Sequence, residues 1–252
     1  MPSSTAHDDL QHEHTREAIA RRLAAARQHS YLGDFILGAV DGAVTTFAIV
    51  AASAGARLSN NVVLILGLAN VLADGFSMAA GNYLRARSDQ QLLKRFRSME
   101  ESHIEHIPKG EEEEVRQIFR GKGFEGEILE KIVEVITRDR QQWVDTMLTE
   151  EWGLPLDPPS PLRAGLATFA AFVVAGMIPL MPALVVRHAQ SNATFLVTSL
   201  LTGGTFFVIG WLRGMFVDRR PFLAGMETLL LGGSAAAVAY FAGRFFNHLA
   251  GS

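Results

Sequence analysis

Five long apolar stretches constrain this chain more than any other feature of its sequence. Each holds about 20 residues with few charged side chains, the length that an α-helix needs to cross a hydrocarbon core of about 30 Å. A soluble helix of that length normally keeps a polar face. The stretches cover residues 35–55, 61–84, 163–186, 193–212 and 222–246. The sequence therefore predicts an all-α polytopic membrane protein with five transmembrane helices.

A charged segment separates the second apolar stretch from the third. Between Glu100 and Glu151 it contains 15 of the chain's 26 acidic residues and only 7 Lys or Arg residues. Apolar residues recur there at helical spacing. This predicts three helices: a continuation of the second span, a helix that begins with the acidic run 111–114, and a third over 125–153. We expect an N-terminal tail at 1–30 and transmembrane helices 1 and 2 at 31–86. A three-helix insert at 87–155 follows, and transmembrane helices 3 to 5 occupy 156–252.

The distribution of basic residues predicts how the chain is oriented. Lys and Arg are enriched in the cytosolic loops of membrane proteins. Here they cluster before the first span, after the second and after the fourth, whereas the opposite loops hold one Arg each. We therefore expect the N-terminus and the insert in the cytosol and the C-terminus outside. Because no organelle-targeting signal is evident, we expect an integral protein of a prokaryotic cytoplasmic membrane.

Two acidic residues lie inside predicted spans, where an ionisable side chain costs several kcal/mol unless it is paired or faces water. Asp41 belongs to the first span and Asp74 to the second. Asn70, Asp74 and Met78 follow one another at intervals of four residues, so they share one face of the second helix. A lone acid can be a packing anchor, but two carboxylates with a thioether suit a divalent transition metal such as iron. We predict a metal pathway at Asp41, Asn70, Asp74 and Met78.

The insert carries pairs of metal-binding side chains at spacings that place each pair on one helix face. Glu100 and His103 form an E-x-x-H pair, which occurs in carboxylate-bridged di-iron bundles. A complete site of that kind needs a second such pair, and this sequence has only one. An acidic run can also be a solvated helix face. The candidate ligands of the insert are Glu100, His103, Glu111, Glu114, Met147 and Glu151.

Several separated motifs, in a consistent order, resemble a known family. They are DGAVTTFAIVAASAG at 41–55, GLANVLADGFSMAAGNYL at 67–84 and WVDTMLTEEWGL at 143–154. Together with the five-span pattern and its acidic insert, they resemble the vacuolar iron transporter family over roughly residues 30 to 250. The resemblance implies a homodimeric secondary transporter that moves Fe²⁺, and often Mn²⁺, out of the cytosol in exchange for protons. We expect no nucleic-acid partner and no resident cofactor.

The resemblance also implies roles for residues of the spans. Asp41 and Met78 match the family's metal ligands on the transport path. Plant members have a glutamate eight residues before this methionine, where this chain has Asn70. We expect Asp74, one turn later, to replace that glutamate.

In the insert, the resemblance implies a site that gathers cytosolic metal. Two positions depart from the family pattern, because His103 stands in place of a glutamate and Leu148 in place of the second methionine of a pair. The positions that match the family's metal ligands are Glu100, Glu111, Glu114, Met147 and Glu151.

The expected function is export of Fe²⁺, and of Mn²⁺ as a further cargo, by a transporter that is not an enzyme. Two other interpretations remain open at this point. One is a membrane-anchored ferroxidase whose insert oxidises Fe²⁺, although an anchor has no need of acids within its spans. The other is a metal-sensing membrane protein that does not transport.

Overall fold

The computed structural model describes residues 14–26, 30–185, 192–217 and 220–250, and every regular element in these ranges is helical. Residues 1–13 and 27–29 of the predicted N-terminal tail lie outside the described residues. The helical elements include a 3₁₀ turn, Ile178–Leu180. The α-helices are α1 Arg16–Ala26, α2 Leu32–Gly55, α3 Asn60–His106, α4 Pro108–Gly121, α5 Gly126–Thr137, α6 Arg140–Glu150, α7 Pro161–Met177, α8 Met181–Val185, α9 Asn192–Val217 and α10 Pro221–Ala250.

Five of these segments are long and apolar enough to cross a membrane, which confirms the predicted all-α, five-span fold class. The first span is α2 and the second is the N-terminal part of α3. The third span, Pro161–Val185, combines α7, the 3₁₀ turn and α8, while α9 and α10 supply the fourth and fifth. The chain divides into two compact units. The membrane unit is Tyr31–Arg85 with Pro161–Ser252, and the acidic unit is Met1–Ser30 with Ala86–Ser160.

Small residues allow α2 to lie in backbone contact with other helices of the membrane unit. A Cβ atom added to Gly38 would lie 2.3 Å from the Thr168 carbonyl oxygen of α7, and one added to Gly42 would lie 2.4 Å from that of Phe172. Both distances are shorter than any van der Waals contact. Close approach of this kind is typical of helix pairs in membranes, where van der Waals packing drives association. Glycine at these two positions is therefore a requirement of the α2–α7 contact.

We expect Gly42→Ala to lower the melting temperature of the purified protein by about 5 °C, because the added methyl group forces α2 away from α7. Gly33→Ala is the matched control on the same helix, since a Cβ there meets no atom within 4 Å. That variant should melt at the wild-type temperature or slightly above it, because alanine favours the helix. Equal melting temperatures for the two variants would contradict the close contact.

The acidic unit has its own apolar core, formed where α4, α5 and α6 pack together. The third helix predicted for the insert is wrong in one respect, because 125–153 forms two helices, α5 and α6. Asp139 lies between them, and its carboxylate accepts hydrogen bonds from the backbone N–H groups of Gln141 and Gln142. This N-cap satisfies two amides that a new helix leaves unpaired. The buried core residues are Val115, Leu129, Val133, Ile136, Trp143 and Met147.

Candidate metal sites

Hydrogen bonds join α2 and α3 at the candidate site of the membrane unit. The Thr45 hydroxyl donates to the Asp41 carbonyl oxygen at 2.8 Å, as expected one turn along a helix. The same hydroxyl accepts a hydrogen bond from the Asn70 amide of α3 at 3.4 Å. Asn70, which carries no charge, is thus turned towards the first span next to Asp41.

The two intramembrane acids lie on the first two spans and differ in their exposure. Asp41 is half-buried on α2. Met78, one turn beyond Asp74 on α3, is half-buried, whereas Asp74 is exposed. Like charges repel strongly where water is scarce. A cation between the two carboxylates would remove this repulsion.

Sequence reasoning missed a second polar cluster in the membrane unit. The Asn82 amide of α3 donates to Asp34 Oδ1 of α2 at 2.8 Å and to Thr168 Oγ1 of α7 at 2.7 Å. Arg85 donates to the Asp34 carboxylate at 3.3 Å and to the Asn82 side-chain oxygen at 3.0 Å. The available signal was one acid at the start of the first span and an Asn-x-x-Arg pair at the end of the second. Because the Arg85 guanidinium neutralises the Asp34 carboxylate, we interpret this cluster as structural: its hydrogen bonds hold α2, α3 and α7 together.

In the acidic unit, a compact set of possible metal ligands lies where α3 ends and α4 begins. Glu100, His103 and Glu111 each offer one ligand atom, and these atoms all lie within 4.8 Å of one another. His103 Nδ1 is 3.1 Å from Glu111 Oε1. Glu100 is 1% exposed and Glu111 is 3% exposed, so neither carboxylate is solvated as surface acids are. The E-x-x-H pair thus meets the acidic run of the next helix.

Two buried carboxylate oxygens in this cluster have no hydrogen-bond partner among the described residues. They are Glu100 Oε2 and Glu111 Oε2. The other Glu100 oxygen accepts a hydrogen bond from the Trp152 indole N–H at 2.9 Å, and that indole stacks on Phe96 at 4.1 Å between ring centroids. An unsatisfied buried acceptor is costly. Without metal, a proton on Glu111 shared with Glu100 relieves this cost. A divalent cation would replace that proton and satisfy both oxygens, so the donor set fits a hard or borderline metal ion.

The remaining predicted ligands of the insert differ in their surroundings. Burial, followed by the charges of Glu114 and Glu100, raises the pKa of Glu111 to about 8. Burial and the charges of Glu100 and Glu114 raise the pKa of Glu151 to about 7. The four carboxylates therefore share one electrostatic environment. Met147 is fully buried in the apolar core, where its packing alone accounts for its burial.

Comparison with known proteins places the chain in a family. Residues 32–244 match the model of the VIT family. The chain is 33% identical over 230 residues to a Toxoplasma gondii protein named vacuolar iron transporter, covering 88% of this chain and 76% of that protein. It is 32% identical over 216 residues to vacuolar iron transporter 1 of Arabidopsis thaliana, with coverages of 85% and 86%. These matches confirm the resemblance found in the sequence, and the chain belongs to the VIT family.

Proposed function

We propose that this protein exports Fe²⁺ from the cytosol through the membrane unit in exchange for protons. The observation that carries the proposal is the Asn70–Thr45 hydrogen bond, which joins the first two spans one turn from Asp41. Relatives named vacuolar iron transporters, which align with most of the chain, support iron as the cargo. Acidic residues inside membrane spans are retained at a cost, and such residues mark ion pathways.

The ligand set of the proposed path suits iron or manganese. Asp41 and Asp74 supply carboxylate oxygens, Met78 a thioether and Asn70 a neutral carbonyl oxygen. Carboxylates bind divalent first-row metals, and sulfur favours the softer of them over Mg²⁺ or Ca²⁺. Because protonated carboxyl groups are poor ligands, protons arriving from the outside would displace the metal there. In this scheme the two acids couple export of the metal to entry of protons.

A homodimer is part of the proposal. Asp74 is exposed on a face of α3 that also carries the exposed residues Ser77 and Gly81, three and seven positions further along the helix. An ionisable side chain within a membrane faces protein or water rather than lipid. A second copy of the chain that covers this face would shield Asp74 from lipid and line the path from both sides.

The acidic unit is proposed as the site that captures metal before transport. Its Glu100, His103 and Glu111 cluster fits a cation, and Glu114 and Glu151 add negative charge around it. A concentration of negative charge raises the local concentration of cations. Met147 stays a prediction as a ligand. The cytosolic location of this unit, the outside location of the C-terminus and the prokaryotic cytoplasmic membrane also stay predictions.

Proteoliposome flux tests the function directly. We expect vesicles with an acidic lumen to take up Fe²⁺ from outside through the inserted protein, and a protonophore to reduce the initial rate by at least about tenfold. Mn²⁺ should compete with Fe²⁺. Uptake at the same rate with and without a proton gradient would contradict proton exchange. Oxygen consumption that matches Fe²⁺ loss, without uptake, would instead support the ferroxidase interpretation, and metal binding without either would support a sensor.

Trp152 gives a finer test of the capture site. Trp152→Phe keeps an aromatic ring against Phe96 but removes the N–H group that orients Glu100. We expect the affinity of the full-length protein for Mn²⁺ to fall about tenfold, as for other residues that orient a metal ligand. Trp211→Phe, on α9 in the membrane unit, is the control and should leave the affinity unchanged. Equal affinities for the two variants would show that the indole does not position Glu100.

A further inference from the structure

A basic cavity lies at the C-terminal ends of α2 and α10, at the end of the membrane unit opposite the Asp34 cluster. It measures about 780 Å³, and its polar lining includes Arg57, Arg244, Asn247 and His248. The proposed transport of metal uses none of these residues. A concentration of positive charge is unexpected here, because this end of the spans is the one predicted to face away from the cytosol.

The cavity is built on a close crossing of two helices. A Cβ atom added to Gly55 would lie 2.2 Å from the Tyr240 carbonyl oxygen, and one added to Gly243 would lie 2.0 Å from that of Ala52. Backbone contact of this kind holds the helix ends in one arrangement. Arg57 follows α2 directly, and Arg244 follows Gly243 on α10. Both arginines therefore line one cavity beside this helix crossing.

The charge of this cavity is uncompensated. Residues 42–73, 164–217 and 228–252, a set that includes this end of the spans, contain no Asp or Glu. Among the described residues, neither Arg57 nor Arg244 forms an ion pair. The C-termini of α2 and α10 each contribute about −0.5 of an elementary charge. Together they offset only about half of the charge of the two arginines, so the cavity attracts an anion.

The donors and their position indicate the class of anion. Guanidinium groups bind phosphate with paired hydrogen bonds, and the Asn247 amide and the His248 imidazole can supply further donors. At 1.5 Å per residue, the 30 residues of α10 are about 45 Å long, which exceeds a hydrocarbon core of about 30 Å. The last turns of α10 therefore reach the depth of lipid headgroups.

The apolar surroundings distinguish a lipid from a free ion. Phe241 and Phe245 also line the cavity and are 65% and 59% exposed, so they offer a surface for acyl chains beside the basic groups. Basic pockets between transmembrane helices bind anionic headgroups in this manner. We propose that the cavity binds the phosphate group of an anionic phospholipid through Arg57 and Arg244.

Thermal unfolding of the full-length protein in detergent tests this site. We expect phosphatidylglycerol in about hundredfold excess over its dissociation constant to raise the melting temperature by about 5 °C. The Arg57→Gln/Arg244→Gln double variant should lose most of that increase. Arg163→Gln, which removes an exposed arginine at the start of α7, should retain it. Phosphatidylcholine should have a smaller effect than phosphatidylglycerol in wild type.

Three other results would contradict phospholipid binding at this cavity. A shift in the double variant equal to that in Arg163→Gln would overturn the site. If inorganic phosphate alone gave the whole increase, the lipid source would be wrong and the ligand would be a free anion. Should the double variant fail to fold, Arg244→Lys can be used instead, because it keeps the positive charge at position 244 but removes the paired hydrogen bonds of the guanidinium group. It should bind phosphatidylglycerol more weakly than wild type, as measured by lipid retained in native mass spectrometry, and unchanged retention would contradict the proposal.

Discussion

Asp41→Asn is expected to lower the initial rate of Fe²⁺ flux in proteoliposomes by at least about 100-fold, more than is usual for loss of a residue that only orients a ligand. The substitution keeps the shape of the side chain but removes its charge. Because a neutral amide costs less to bury than a charged carboxylate, the folded protein should be at least as stable as wild type. A large loss of flux from a stable protein would separate a role in transport from a role in packing.

The matched control is Asp157→Asn, the same chemical change at an exposed position between α6 and α7. Its flux should equal that of wild type. Reconstituted protein must be quantified in each case, so that rates refer to equal amounts of inserted transporter. Flux by Asp41→Asn at the rate of this control would show that the acid pair is not on the path.

A reciprocal exchange on α3 tests whether Asp74 replaces the glutamate that plant relatives carry at the position of Asn70. Asp74→Asn alone should lose flux as severely as Asp41→Asn. In the double variant Asn70→Glu/Asp74→Asn, the acid moves back one turn, and the Asn70–Thr45 hydrogen bond shows that position 70 also faces the first span. Partial recovery of flux is therefore expected. If the double variant were as inactive as the single one, Asp74 would have a role that position 70 cannot fill.

The spans could be predicted from the sequence because a bilayer imposes one length and one polarity on every helix that crosses it. The local face of α3 that carries Asn70, Asp74 and Met78 followed from helical spacing alone. The Asp139 cap between α5 and α6 was also visible in the sequence, but helical periodicity on both sides of it obscured the break. Regular patterns therefore predicted elements better than they predicted boundaries.

Contacts between distant segments could not be predicted in the same way. Trp152 and Glu100 are 52 residues apart, and the hydrogen bond between them depends on how α3 and the end of α6 pack in the acidic unit. Spacing also left two roles open for Met147, as a ligand or as a core residue, since both require an inward-facing side chain. Its complete burial in the apolar core is a result of packing that no single helix reveals.

Metal binding by the acidic unit should weaken strongly as the pH falls. With the pKa of Glu111 at about 8 and that of Glu151 at about 7, both groups are largely protonated at pH 6 in the metal-free protein. A metal must displace these protons. From Glu111 alone, we expect affinity for Mn²⁺ to be about 50-fold lower at pH 6 than at pH 8. Calorimetry in buffers of different ionisation enthalpy should detect between one and two protons released at pH 7.

The same two groups determine how the stability of the metal-free protein depends on pH. Because their pKa values are raised above the ordinary 4.5, the folded state holds protons that the unfolded state has lost. Stability from these groups is therefore complete below pH 4.5 and declines as the pH rises through 7 to 8. Bound metal should reverse the trend, because it replaces the protons. The difference between the melting temperatures with and without Mn²⁺ should grow from pH 6 to pH 8.

Variants assign the pH dependence to individual groups. Glu111→Gln should melt at a higher temperature than wild type at pH 8 without metal, and its remaining metal affinity should vary less with pH. His103→Gln isolates the imidazole, whose Nδ1 lies 3.1 Å from Glu111 Oε1. Glu130→Gln is the control, since this carboxylate pairs with Arg116 on the surface of the unit. A pH profile unchanged in Glu111→Gln would show that the burial of this carboxylate does not govern metal capture.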